Sequence, residues 1–365
     1  MVLSHQSLKK IIGGVSPMIG STQSLGGNIQ PASLDVPLSN RCFRVSVSSL
    51  PDHEHSMSDL LKRFTMYEFE LRPEGGLLER GMIYILPLSV ELALSEQFRA
   101  IFSPKSTTGR NDVFVRVLTE HGRMFDMTTS KYKGPLYLEA TPLSFNLFVY
   151  PFESLTQMRV ATVNAIRLSN EEIAVLHAEY GIVRDQDGKV AEAVIADNGL
   201  YLHLDLSNQG KTAGYEALQN PEGYVHLGKK EVDQKEEFWR RIRPTPHGDL
   251  ILHPNSFYLL STRERIIIPP NVCATMEEYS VSMGEFRSHY AGFFDNGFGG
   301  ENGTHGVLEF RSRDLPIRFC DRQPICRLVF YKTDEVPNVL YGGGANNYTG
   351  TGPKFAKNFK EFSKW

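Results

Sequence analysis

No uninterrupted apolar run in this chain reaches the roughly 18 residues that a helix needs to cross a bilayer. Cysteine is scarce too: Cys42, Cys273, Cys320 and Cys326 are the only four in 365 residues. None falls in a Cys-x-x-Cys spacing, which argues against a zinc site and against the disulfide framework of a secreted domain. Buried thiols in a reducing cytoplasm are the expectation. Residues 1–14 hold no continuous apolar stretch, so no signal peptide is expected there. Charge of one sign is also missing: 39 Lys and Arg stand against 42 Asp and Glu, a net −3. No global basic field is available to recruit nucleic acid or an acidic membrane. What is present, 41% hydrophobic and 22% charged, is the composition of an ordinary globular protein.

The most informative feature that is present is a long internal repeat. Asp35 closes Ile29-Gln30-Pro31-Ala32-Ser33-Leu34-Asp35, and Asp205 closes Gly199-Leu200-Tyr201-Leu202-His203-Leu204-Asp205, so 205 − 35 = 170. Glu91 pairs with Glu264 (264 − 91 = 173), Glu139 with Glu309 (309 − 139 = 170) and Arg159 with Arg327 (327 − 159 = 168). A repeat this long means a duplicated domain, because solenoid units are far shorter. Each half is long enough to bury its own core. Residues 1–185 read as the first domain and 196–365 as the second.

Both halves are strand-rich. Runs such as Met82-Ile83-Tyr84-Ile85-Leu86, Val113-Phe114-Val115-Arg116-Val117-Leu118 and Ile325-Cys326-Arg327-Leu328-Val329-Phe330 are short, β-branched or aromatic, and bounded by turn residues. They predict a sandwich or barrel. Residues 4–12 predict a short capped helix with Leu8, Ile11 and Ile12 on one face. Residues 169–180 predict the clearest helix, capped by Ser169 or Asn170, ending the first half before a linker to about residue 196. The charged stretch 229–243 reads as a solvated loop or helix. The tail 341–360, Gly-rich and then basic, reads as a mobile arm.

Two constellations carry chemistry. Lys105-Ser106-Thr107-Thr108-Gly109-Arg110 brackets hydroxyls and a glycine with two cations. Such a loop can hold phosphates through N–H groups, hydroxyls and charge, although a polar turn reads the same way. The matching stretch of the second half, Glu277-Glu278-Tyr279-Ser280-Val281-Ser282-Met283-Gly284, has carboxylates near the place of the cations and would repel a triphosphate. The second constellation is His289-Tyr290-Ala291-Gly292-Phe293-Phe294-Asp295-Asn296-Gly297-Phe298, followed by Val307-Leu308-Glu309-Phe310. Asp-Asn-Gly is a hairpin-turn signal. Glu309, between apolar neighbours, reads either as a general base with a raised pKa or as a structural carboxylate paired with Arg311 or Arg313. The first half keeps Glu139 but has Arg123-Met124-Phe125-Asp126-Met127-Thr128 where the Gly-rich hairpin should be. One composite site shared between the two kinds of domain explains both losses.

Together these motifs resemble the dCTP deaminase branch of the dUTPase superfamily, in its long, duplicated bacterial form. Asn347-Tyr348-Thr349-Gly350-Thr351-Gly352-Pro353-Lys354 is similar to that branch's C-terminal lid. The resemblance implies a mainly β chain: two tandem, dUTPase-like distorted β-barrels with a few short helices. It implies zinc-independent conversion of dCTP to dUTP and ammonia, feeding pyrimidine deoxynucleotide synthesis in the cytoplasm. In that reading Glu309 activates water, Ser106 holds the water or the leaving amine, and Arg110 stabilises charge near the ring. Lys105 and Thr107 map to triphosphate contacts, with Lys where the family usually has Arg. Asp295 maps to the deoxyribose side, Ala291 and Val307 to backbone contacts with the base, and Tyr348, Thr351 and Lys354 to the lid. Mg²⁺ travels with the triphosphate instead of sitting in a protein cage. A homo-oligomer is implied, with a trimer favoured because three chains supply six barrels for two three-barrel rings. dTTP inhibition is a family property.

His177-Ala178-Glu179 matches part of the zinc deaminase signature, but no Pro-Cys-x-x-Cys follows, so His177 reads as a surface residue. His53-Glu54-His55 reads as a solvated loop. A dUTPase, a bifunctional deaminase and pyrophosphatase, and a non-catalytic nucleotide-binding barrel remain alternatives.

Overall fold

The computed structural model describes residues 1–207, 212–278, 286–287, 292–312, 314–342 and 354–360. The first half runs β1 (Ile19–Ser21), β2 (Leu34–Pro37), β3 (Arg41–Val45), β4 (Thr65–Glu70), β5 (Gly76–Leu78), β6 (Ile83–Ala93), β7 (Phe98–Pro104), β8 (Val113–Thr119), β9 (Lys133–Pro142), β10 (Leu147–Val149) and β11 (Ser154–Thr162). The second runs β12 (Val183–Arg184), β13 (Ile195–Ala196), β14 (Gly199–His203), β15 (Gly214–Ala217), β16 (Val225–His226), β17 (Trp239–Ile242), β18 (Asp249–Leu252) and β19 (Phe257–Ile266). It continues through β20 (Val272–Glu278), β21 (Phe286–Arg287), β22 (Phe293–Phe294), β23 (Thr304–Ser312), β24 (Ile317–Cys320) and β25 (Pro324–Lys332).

The two halves share one wiring. Sheet order β4-β3-β6-β9-β8, with β1 on β6, reappears as β17-β15-β19-β23-β21, with β12 on β19. Likewise β2-β11-β7 reappears as β14-β25-β20, and β5-β10 as β18-β24. The chain is therefore two tandem barrels of one design. The landmark pairs fall on matching strands: Glu91 on β6 and Glu264 on β19, Glu139 on β9 and Glu309 on β23, Arg159 on β11 and Arg327 on β25. Alternation explains the cores. Along β8 Val113, Val115 and Val117 are buried, and along β14 Leu200 and Leu202 are.

Four α-helices are described: α1 (His5–Gly13), α2 (Met57–Phe64), α3 (Ser106–Gly109) and α4 (Asn170–Tyr180). Helix α1 forms with Leu8 buried, but Ser4 does not cap it with its side chain; its N–H donates to Asp334 Oδ1 at 2.8 Å. Helix α4 has the capping box, with Ser169 Oγ accepting from the Glu172 N–H. It does not end the first half. Its buried Ile173 and Leu176 belong to the second core, because the β13-β14 hairpin is where its apolar face finds cover.

Three further expectations are corrected. Stretch 229–243 is not solvated throughout: it forms a 3₁₀ turn and β17, with Phe238 1% and Trp239 5% exposed. The part of the tail at 354–360 is not a mobile arm. Phe355 and Phe359 pack on Trp239 at ring distances of 5.4 and 6.1 Å, and Phe359 is buried. Each stretch looks polar alone, and each hides its aromatics against the other. Finally, Asp-Asn-Gly at 295–297 is not a hairpin tip. β22 pairs with β20 while β23 pairs with β19, so the chain turns a corner between sheets. Gly299 (φ +91°) lets it pass against the Ile266 carbonyl, where a Cβ would lie 2.0 Å from the oxygen.

The halves are fused, not merely linked. The larger core joins first-half Phe145, Leu147 and Val115 to second-half Val225, Trp239, Phe257 and Phe359. β16 pairs in parallel with β10, Leu147 opposite Val225. Arg159 crosses the junction. Its guanidinium donates to the Ala274 carbonyl (2.8 Å), the Phe294 carbonyl (2.9 Å) and Asp295 Oδ1 (3.2 Å), and stands 4.2 Å over the Phe293 ring. The pair is buried, so removing the cation alone leaves Asp295 uncompensated. Arg159→Ala is expected to cost about 3–5 kcal/mol, read as a lowered urea midpoint; a change within error would deny the pair its bridging role.

Candidate active site

After β7 the chain rises through Lys105 into the single turn α3. The Gly109 N–H donates to the Lys105 carbonyl and the Arg110 N–H to the Ser106 carbonyl, each at 3.0 Å. Thr108, fully buried, donates its hydroxyl to the Leu155 carbonyl on β11 at 2.7 Å. The turn is thus fixed to its own barrel. Its far end is fixed to the other barrel. Asp112, fully buried at φ +55°, accepts from Ser144 Oγ at 2.6 Å and is ion-paired with Arg311 of β23.

Arg311 lies two residues beyond Glu309, and Asp112 two beyond Arg110. On a strand, i and i+2 share a face, so the ion pair puts Glu309 under the α3 turn. Glu309 is 2% exposed and opposite Leu259 of β19. A Cβ on Gly109 would lie 2.3 Å from Glu309 Oε2, so the carboxylate rests against the bare α-carbon of Gly109. Arg110, also buried, donates from Nη1 to the Lys354 carbonyl at 3.0 Å. Arg311 also donates to the Asn255 carbonyl at 2.8 Å and to Ser144 Oγ at 3.1 Å, and Arg313 lies outside the described residues.

The remaining expected residues fall as follows. Ser106 is half-buried at the start of the turn and Thr107 is buried within it. Lys105 is ion-paired with Asp35 at 2.5 Å. Asp295 is buried, with Ser33 Oγ donating to Oδ2 at 3.0 Å and Arg159 donating to Oδ1. Burial pushes its carboxyl above the ordinary value, against the pull of Arg159 and Ser33. Val307 is partly buried on the larger core. Ala291, Tyr348 and Thr351 lie outside the described residues. Lys357 was not anticipated. Burial, and then the charge of Lys105, lower its pKa, against the pull of Glu153 and Asp35. No spacing rule announces it, because 357 and 105 meet only through the docked tail.

The copy-one counterpart is closed. Glu139 sits opposite Ile85 as Glu309 sits opposite Leu259. Over it lies the segment before α2, and Ser48 Oγ donates to Glu139 Oε1 at 2.8 Å. Met57 and Leu60 of α2 pack with Phe43, Ile85 and Tyr137 on that face. Helix α2 announces itself by its Ser56–Asp59 capping box, a signal the sequence reading passed over. Glu139 Oε2 has no hydrogen-bond partner among the described residues. Burial raises the Glu139 pKa, opposed by Ser48 and Arg116.

Because the folded state holds that proton more tightly than the unfolded chain, the contribution is complete below the unfolded pKa and is lost as pH rises through the folded one. The melting temperature of Glu139→Gln relative to the parent should therefore climb as pH goes from about 5 to 8. A pH-independent difference would mean Glu139 titrates normally.

His53 and Glu54 are exposed, as a solvated loop requires, while His177 is half-buried on α4. Among the described residues no three His, Cys, Asp or Glu side chains converge to hold a metal ion, and no helix is long and apolar enough to cross a membrane.

Comparison with known proteins places this geometry. A family model for the 2'-deoxycytidine 5'-triphosphate deaminase N-terminal domain matches residues 1–164, and one for the C-terminal domain matches 169–359. A dUMP-forming dCTP deaminase of Kocuria rhizophila is 29% identical over 147 residues, 39% of this chain and 73% of that one. Another, of Aquifex aeolicus, is 37% identical over 103 residues, 27% of this chain and 54% of that one. The crystal structure of 2'-deoxycytidine 5'-triphosphate deaminase from Agrobacterium tumefaciens superimposes with a TM-score of 0.82 at 34% identity, covering 92% of this chain and 99% of that one.

Proposed function

The chain belongs to the dCTP deaminase family, and on that premise we propose that it has one site per chain, at the seam where α3 of the first barrel meets β23 of the second. The observation that carries this is the Glu309 carboxylate lying against Gly109, with Arg110 next in the chain. In this reading Glu309 takes a proton from water, the hydroxide adds to cytosine C4, and the proton passes to N3. The proton of the new C4 hydroxyl is then carried to the amino group, the C4–N4 bond breaks as C4=O forms, and dUTP and ammonia leave. Arg110 and Ser106 stabilise the developing charge and hold the water or leaving amine. Lys105, Thr107, Lys354 and Lys357 face the triphosphate and the Mg²⁺ it carries. Lys105 exchanges Asp35 for phosphate oxygens. Asp295 and the Val307 backbone fix the sugar and base, joined by Ala291, Tyr348 and Thr351.

Residues 1–164 and the β12–β25 region act as the two barrels. Cytoplasmic location, trimeric assembly and dTTP inhibition complete the reading. The relatives from Kocuria and Aquifex are dUMP-forming, which favours a second reading: this site also releases pyrophosphate from the dUTP it makes.

Incubation with dCTP and Mg²⁺, with products resolved by ion exchange, separates these. dUTP and ammonia mark a deaminase; dUMP and pyrophosphate mark the bifunctional enzyme; no turnover would overturn both. Glu309→Gln, which keeps shape but cannot take the proton, should lower kcat by at least about 10²-fold while nucleotide still binds. Glu139→Gln should leave kcat within about 2-fold, since α2 closes that face, a margin small beside the effect of a true general base. Equal damage from both would argue for two sites per chain.

A further inference from the structure

The α3 turn is held by a second device besides the Asp112–Arg311 pair. Asn111 follows Arg110 directly and is fully buried. Its Nδ2 donates to the Thr107 carbonyl at 2.8 Å and to Asn358 Oδ1 at 2.9 Å. Asn358, also fully buried, donates from Nδ2 to Asp233 Oδ2 at 2.9 Å. Asp233, 4% exposed, accepts from the His226 N–H (2.9 Å) and faces His226 Nδ1 at 2.6 Å. Four residues from three separate parts of the chain thus form one buried polar path, ending on the backbone of the α3 turn.

The backbone reinforces it. The Val232 and Asp233 N–H groups both donate to the Asn358 carbonyl at 2.9 Å, the Glu231 N–H donates to the Lys357 carbonyl, and the Lys360 N–H donates to the Asp233 carbonyl, each at 3.0 Å. Four residues earlier the Lys354 carbonyl takes Arg110 Nη1. Residues 354–358 therefore span the turn from Arg110 to Asn111. A path of fully buried amides and a carboxylate has few alternative arrangements, because each unmade bond leaves a desolvated group.

We infer that Asn358 is a positioning residue. It couples the docked tail, through Asn111, to the geometry of the turn that carries Ser106 and Arg110. Tail docking and correct placement of that turn are one equilibrium, with Asp233 as its anchor on the insert at 225–238. The inference rests on the proposed assignment of Ser106 and Arg110 to the site, and the test separates the two.

Amide hydrogen exchange and dCTP kinetics are measured on the full chain. Asn358→Ala should speed exchange at 231–233 and also at 107–112. Its kcat should fall by about 10- to 100-fold, as expected for a catalytic group displaced by a fraction of an ångström to an ångström, with the urea midpoint of the barrels unmoved. Asn358→Asp sets two carboxylates together and should be worse. Lowering the pH puts one proton between those two carboxylates and restores a donor facing an acceptor, so protection at 107–112 in this variant should return relative to the parent, which a variant that merely unfolds would not do. Faster exchange confined to 231–233 with kcat intact would overturn the inference, as would an Asn358→Asp variant whose protection at 107–112 does not return at low pH. If the parent does not turn over dCTP, the assignment of the site fails, and exchange at 107–112 still decides the coupling.

Discussion

The ion pair between Asp112 and Arg311 is the contact on which the site depends. Asp112 is fully buried and the Arg311 side chain is 15% exposed, and they belong to different barrels. A buried charge pair contributes little net stability but strongly penalises separation. Here that penalty fixes register between barrels. With Asp112 on Arg311, the two-residue step along each segment brings Gly109–Arg110 over Glu309, and Gly109 supplies the missing side chain that lets the carboxylate approach. Arg159 with Asp295 repeats the arrangement on the other side of the seam, again a cation of the first barrel on a carboxylate of the second.

The duplication bears on why the proposed site is one per chain and not two. The barrels share sheet order strand for strand, and each carries a buried glutamate at the same place on its long hairpin sheet. They differ in what covers it. Over Glu309 lies a polar turn from the neighbouring barrel. Over Glu139 lies the chain's own α2 and Ser48, an apolar plug. Such a plug is locally favourable because it buries Met57 and Leu60, and it removes the face on which another barrel's turn would sit. The tail joins the same logic. Its aromatics fill a cleft walled by Trp239 and Tyr215, and once there its carbonyls and amide reach the turn that the ion pair has already placed.

The sequence by itself determined the duplication, the β class and the family, and it marked the candidate residues that the proposed site uses. Repeats, strand alternation and motifs are properties of order along the chain, and hydrophobic period reports them directly. Lys105, Ser106, Arg110 and Glu309 were all legible for that reason, and so was their division between two copies. What only the tertiary structure decided is who faces whom. That Arg311 pairs with Asp112, that Asp295 turns a corner against Arg159, and that stretches 229–243 and 354–360 bury one another are all pairings between segments far apart in sequence. Each partner looks like an ordinary polar or aromatic surface residue until the other arrives, because desolvation and hydrogen bonding are set by the neighbour in space and leave no period in the chain.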